Sequence, residues 1–177
     1  MKGTIYLQLL AFVVLLHSGT PAGAQDAAFS QFYSHPLYLN PAFTGTLAVP
    51  RINLQYRDQW HSLSNAYVTQ SVSFDVPVEA IRGGLGFNLV KDAQADNLLK
   101  SLQIDLMYSS IFRLTTDFWF SGAIQAGYRQ NSLDWYRLVF PDNLDPYSGL
   151  HTITAETPVS DPNYQYFDFA TGVLVFG

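Results

Sequence analysis

Apolar and polar residues alternate along most of this chain, and a period of two predicts strands rather than helices. Residues 51–60 put Ile52, Leu54, Tyr56 and Trp60 on one face and Asn53, Gln55, Arg57 and Gln59 on the other, with Asp58 alone out of pattern. Residues 66–78 set Val68, Val72, Phe74 and Val76 against Tyr67, Thr69, Ser71, Ser73 and Asp75, with Gln70 the exception. Residues 84–90 oppose Leu85, Phe87 and Leu89 to Gly84, Gly86 and Asn88. Residues 98–112 oppose Leu102, Ile104, Leu106, Tyr108 and Phe112 to Ser101, Gln103, Asp105 and Ser109. A tight turn at 114–117 then leads into Phe118, Phe120, Ile124, Ala126 and Tyr128 against Ser121, Gln125, Gly127 and Arg129. A sixth strand, 166–177, alternates through Phe167, Phe169, Val173 and Val175.

Ahead of these strands lies an export signal. Lys2 supplies a positive start, Ile5 to Leu16 an apolar run, and Ala22-Gly23-Ala24 a small-residue cleavage site before Gln25. The apolar run is shorter than the roughly 20 residues a helix needs to span a bilayer, and Gly19, Pro21 and Gly23 follow it closely. A barrel strand crosses with only about 9 to 11 residues and one apolar face. An exported chain of short alternating segments is therefore expected to be all-β, an antiparallel transmembrane β-barrel of the outer-membrane type. The expected organisation is a signal peptide at 1–24, a periplasmic lead-in segment at 25–50 and part of a barrel at 51–177.

Composition agrees. Charged residues are 13% of the chain, about half the usual share, while aromatics reach 15% and are mostly Phe and Tyr. No cysteine is present, so disulfides and thiolate sites are excluded. The net charge is −5 and falls by one more when Lys2 leaves with the signal, which argues against nucleic acid as a partner. Bilayer lipid is the first partner expected.

Connection lengths orient the barrel, because outer-membrane barrels have short periplasmic turns and long external loops. Connections at 61–65, 91–97 and 131–163 are expected outside, and those at 79–83 and 114–117 in the periplasm. Six strands are fewer than the eight or so of the smallest single-chain barrels, so the chain is expected to be the front part of a longer one.

Catalytic chemistry finds little support. His17 leaves with the signal, His35 precedes a proline, His61 and His151 fall in expected external loops, and none has a partner at metal-ligand or triad-like spacing. Gly83-Gly84-Leu85-Gly86 lacks the spacing of a dinucleotide loop and precedes a strand. No enzyme activity, no cofactor, no metal and no small-molecule substrate are expected.

Several motifs carry a family resemblance. Gln25-Asp26, Phe29-Ser30-Gln31-Phe32-Tyr33, Pro36 to Gly45 with its central Asn40-Pro41-Ala42, and Tyr56-Arg57-Asp58-Gln59-Trp60 resemble the mature N-terminal part of PorP/SprF proteins. Gly83 to Gly86, Gly122 to Gly127 and Leu133 to Phe140 follow the same progression, with Pro141 standing where a glycine is commoner. The resemblance spans nearly all of the mature chain and implies the front half of an outer-membrane component of the type IX secretion system. It further implies contact with periplasmic secretion proteins and support for surface display of secreted proteins or gliding adhesins. The alternative is a passive or ligand-selective pore.

The residues singled out as motif positions, for partner contact or for structure, are Phe29, Gln31, Tyr33, Pro36, Asn40, Pro41, Ala42, Gly45, Arg57, Gln59 and Trp60. Pro36 and Pro41 fix their own φ and push the preceding residue toward extended geometry, which predicts a fixed, non-helical path. That path lines or plugs the barrel mouth, docks on a periplasmic partner, or simply packs its aromatics (Phe29, Phe32, Tyr33, Tyr38 and Phe43) on the lower rim. Arg57 faces the lumen by alternation, where it makes a partner contact or pairs with a carboxylate such as Asp75 or Asp105. Trp60 is expected in the outer aromatic girdle.

Overall fold

The computed structural model describes residues 32–60, 67–140, 156–158 and 161–177. Its body is one six-stranded antiparallel sheet in which every strand pairs with the next in sequence. The strands are β1 (Arg51–Gln59), β2 (Tyr67–Val78), β3 (Gly83–Gln94), β4 (Leu99–Arg113), β5 (Trp119–Leu133) and β6 (Asn163–Phe176). β1 and β6 form the two edges and the sheet is not closed, as expected of part of a barrel. No helix among the described residues is long and apolar enough to cross a membrane.

The partition of side chains is the reverse of a soluble protein's. On the outer face Leu54, Phe167 and Phe169 are 72%, 76% and 77% exposed, while Asp75, Asn88 and Asp105 on the inner face are fully buried. Among the described residues, five apolar side chains are buried against eleven polar or charged ones. A sheet that turns its apolar face outward over strands of 9 to 15 residues needs lipid on that side.

Buried polar groups must find partners, and here they do so across strands. The Asp105 carboxylate accepts from Arg129 Nη1 at 2.5 Å, Gln103 Nε2 at 2.7 Å and Asn88 Nδ2 at 3.0 Å, and Arg129 Nη2 reaches Asp168 at 3.3 Å. One arginine and two carboxylates thus tie β3, β4, β5 and β6 together on the inner face.

β3, β5 and β6 run longer than the alternation alone indicates. The external connection expected at 91–97 is replaced by a turn at 95–98, because β3 continues to Gln94. Asp92 can stay in the ladder because its carboxylate accepts from Thr69 at 2.5 Å and from Gln94 at 2.7 Å. The turn itself places Ala95, Asp96 and Asn97 at φ 52°, 55° and 64°, a conformation that Asp and Asn tolerate better than most residues. β5 and β6 likewise reach to Leu133 and start at Asn163, closed by a Ser132–Asn163 side-chain hydrogen bond. Arg137, past the end of β5, pairs with Asp96 at 2.8 Å and so caps the β3–β4 turn. Residues 1–31, the connection at 61–66 and most of the long connection before β6 lie outside the described residues.

Candidate functional site

The segment ahead of β1 runs across the inner face of the sheet. Phe32–Ser34 forms a 3-10 turn, α1 (Pro36–Leu39) a single helical turn, and Pro41–Phe43 a second 3-10 turn. The expected non-helical path is therefore corrected. Each proline does hold its predecessor out of the helix, with Asn40 extended at φ −158° and ψ 123°, but the proline's own φ also suits the first position of a helical turn. Asn40 caps the second turn by accepting the Ala42 N–H at 2.9 Å.

From Asn40 onward the chain steps back through the sheet in reverse strand order. Asn40 Nδ2 donates to the Val173 carbonyl of β6 at 3.0 Å. Ser121 of β5 donates to the Ala42 carbonyl at 2.7 Å. Ser109 of β4 donates to the Thr44 carbonyl at 2.6 Å and accepts the Gly84 N–H of β3 at 3.0 Å. The Gly45 N–H then donates to Asp75 of β2 at 2.8 Å. Residues 40–45 thus form a strap that touches five of the six strands, and its next fixed point is Arg51 at the start of β1.

Arg51 locks the strap to the sheet. Its Nε and Nη2 reach the Asp75 carboxylate at 2.8 and 3.1 Å, and Nη2 also donates to the Phe43 carbonyl at 3.1 Å. Asp75 is fully buried, so its three N–H donors replace the water it has lost.

Small residues make room for the strap. A Cβ on Gly84 would lie 2.5 Å from the Gly45 Cα, so the two backbones touch. Gly45 also sits at φ +67°, which favours glycine. On β6 a Cβ on Gly172 would lie 2.0 Å from Asn40 Oδ1. The Thr44 side chain, fully buried, lies close over Gly86, where a Cβ would sit 3.0 Å from it.

His35 anchors the beginning of the segment. It is buried, its Nδ1 lies 3.2 Å from Ser71 Oγ, and its ring stacks on Tyr38 with centroids 5.6 Å apart. Burial holds its pKa below the ordinary 6.5; a hydrogen bond with Asn88 acts against this, and the Arg51 charge adds to it.

Of the residues singled out from sequence, Pro36, Asn40, Pro41, Ala42 and Gly45 come together in the strap and the turns leading to it. Tyr33 stands exposed at its beginning. Phe29 and Gln31 lie outside the described residues. Arg57 and Gln59 occupy the far end of β1, away from the strap, and Trp60 follows it, exposed at φ 58° and edge-on to Tyr67. The expected Arg57 pairing is corrected: Asp75 is taken by Arg51 and Asp105 by Arg129, and Arg57 Nε is buried without a hydrogen-bond partner among the described residues. Of the aromatics expected on the lower rim, Tyr38 and Phe43 are half-buried and Tyr33 is exposed, while the buried side chains of the described segment are His35, Leu37, Ala42 and Thr44. Sequence reasoning missed the inner-face receivers Ser109, Ser121 and Asp75, whose one signal is a small or acidic residue at an inward position of each strand.

Inverted side-chain partition, an antiparallel meander and an internal strap define a membrane β-sheet protein with an obstructed polar face. The chain belongs to the family described as type IX secretion system membrane protein PorP/SprF, whose model matches residues 22–176. That is a family of secretion-system membrane components, not a known enzyme family. No curated protein and no solved structure gives a match.

Proposed function

We propose that this protein is a non-enzymatic outer-membrane component of the type IX secretion system, exported by cleavage of the signal peptide at 1–24. In this reading it contacts the periplasmic machinery at the end where β1 begins, where the short turns at 79–82 and 114–118 lie, and supports surface display of secreted proteins or gliding adhesins. The observation that carries it is the strap. A segment hydrogen-bonded to β2, β4, β5 and β6, and in backbone contact with β3, obstructs the polar face, which suits a scaffold for other proteins better than an open pore.

The test compares a strain lacking the protein with the complemented strain. Loss of cargo from the cell surface, together with co-purification of periplasmic secretion proteins with the complementing copy, is the expected result. Normal cargo delivery without the protein, accompanied by stepwise conductance of the purified protein in planar bilayers, overturns it in favour of the pore.

A further inference from the structure

Beneath the strap, at the end of the sheet where β1 begins, lies a cleft of about 500 Å³, within the size range of ligand sites. Pro77, Ile111, Arg113 and Trp119 line it from inward positions of their strands, in phase with Asp75, Ser109 and Ser121, and Val78 and Phe112 from outward ones. The cleft therefore lies at the rim of the sheet, with Arg113 and Trp119 on the side of the polar face.

Its chemistry is apolar with a cationic rim. Arg113 is fixed in place, donating from Nε and Nη2 to the Thr115 and Thr116 carbonyls at 3.1 and 2.9 Å while its guanidinium sits 5.6 Å from the Trp119 ring centroid. Nη1 of that fork bonds no described residue and is available to a ligand. Arg82 is held differently. Its backbone N–H bonds the Glu79 carbonyl at 3.0 Å and its carbonyl accepts from Ile111 N at 2.8 Å, yet its guanidinium bonds no described residue. Its φ of 49° is left-handed, where glycine costs less than arginine, and a glycine is available next door at 83. An arginine at a strained position whose charge no described residue pairs points to a use for that charge. Glu79 is the one carboxylate among the lining residues.

We infer that this mouth cleft binds an acidic, apolar-flanked peptide segment of a periplasmic partner, with Arg82 and Arg113 meeting its carboxylates and Ile111 and Trp119 its apolar side chains. The inference rests on the secretion reading for the identity of the partner, but the cleft's chemistry does not. Two arginines favour acidic ligands, and the inward position of Arg113, Ile111 and Trp119 favours a peptide over a lipid headgroup.

The test uses the purified protein in phosphatidylcholine nanodiscs and a fluorescent peptide of alternating Glu and Leu, with its Lys counterpart as control. The acidic peptide is expected to bind about tenfold more tightly than the Lys peptide, and Arg82→Gly to lose most of that preference while leaving the fold intact, since glycine relieves the strained φ. Arg113→Gln should weaken binding as well. Equal binding of the two peptides, or a preference unchanged in both variants, overturns the inference. So does displacement of the peptide by phosphatidylglycerol placed in the nanodisc, which would make the cleft a headgroup site. Because binding is read on purified protein, its failure is separable from failure of the cargo-delivery test in cells.

Discussion

The Asp75 carboxylate accepts the Gly45 N–H at 2.8 Å and the Arg51 Nε at 2.8 Å, so one buried side chain of β2 holds both the end of the strap and the start of β1. Breaking a buried pair by removing one partner leaves the other charge uncompensated, at about 3–5 kcal/mol. Asp75→Ala is therefore expected to cost on this order, and the double change Asp75→Ala with Arg51→Met to recover part of it. Urea unfolding of the protein in lipid, followed by tryptophan fluorescence, measures both. A single Asp75→Ala variant as stable as the parent would remove the lock from the account.

Contact between Gly45 and Gly84 gives a second expectation. A Cβ on Gly84 would lie 2.5 Å from the Gly45 Cα and 2.7 Å from its N, both backbone atoms that cannot swing away. Gly84→Ala should lift the strap off β3 while the β2–β3–β4 ladders persist, costing about 1–3 kcal/mol. Limited proteolysis between Leu39 and Arg51 should become faster in that variant, with the circular dichroism of the sheet unchanged.

His35 makes the strap pH-sensitive. Its folded pKa lies below the ordinary 6.5 because burial disfavours the imidazolium, and the nearby Arg51 charge adds to this. The detached segment therefore binds more protons than the docked one at pH values between the two, so docking strengthens as pH rises. The contribution is complete above about 6.5 and is lost progressively as pH falls from there through the lowered folded value. Labelling of a cysteine placed at the buried Leu37 should speed up on acidification, and His35→Gln should flatten that response.

The sheet was legible in the sequence because lipid on one face and polar groups on the other enforce a strict period of two, as in Leu102 to Tyr108 against Gln103 to Ser109. Strand ends were less legible. Asp92 looks like loop chemistry until Thr69 and Gln94, one on another strand and one two residues on, supply its hydrogen bonds. The strap was legible only as a constrained segment. Pro36 and Pro41 announce restricted backbone, but nothing local says that Ser121 and Val173, at least 79 residues away, receive the residues around Pro41. Arg57 was assigned a partner by proximity of charge, and Arg51 and Arg129 hold the carboxylates because they lie closer to them in the strand register.

Leu106 lies at the centre of β4 and is 62% exposed on the outer face, paired with Phe87 and Ala126 on the neighbouring strands. In water such a position would gain from a charge. In a bilayer the reverse holds, because an arginine at the midplane of a barrel's lipid face costs about 2–4 kcal/mol and less than about 1 near the interfaces. Leu106→Arg should therefore destabilise the protein in vesicles by that larger amount. Phe112→Arg, six residues along the same face toward the turn, should cost much less. Equal effects of the two substitutions, or a gain for Leu106→Arg, would mean that this face does not cross a membrane, and vesicle refolding titrations decide between these outcomes.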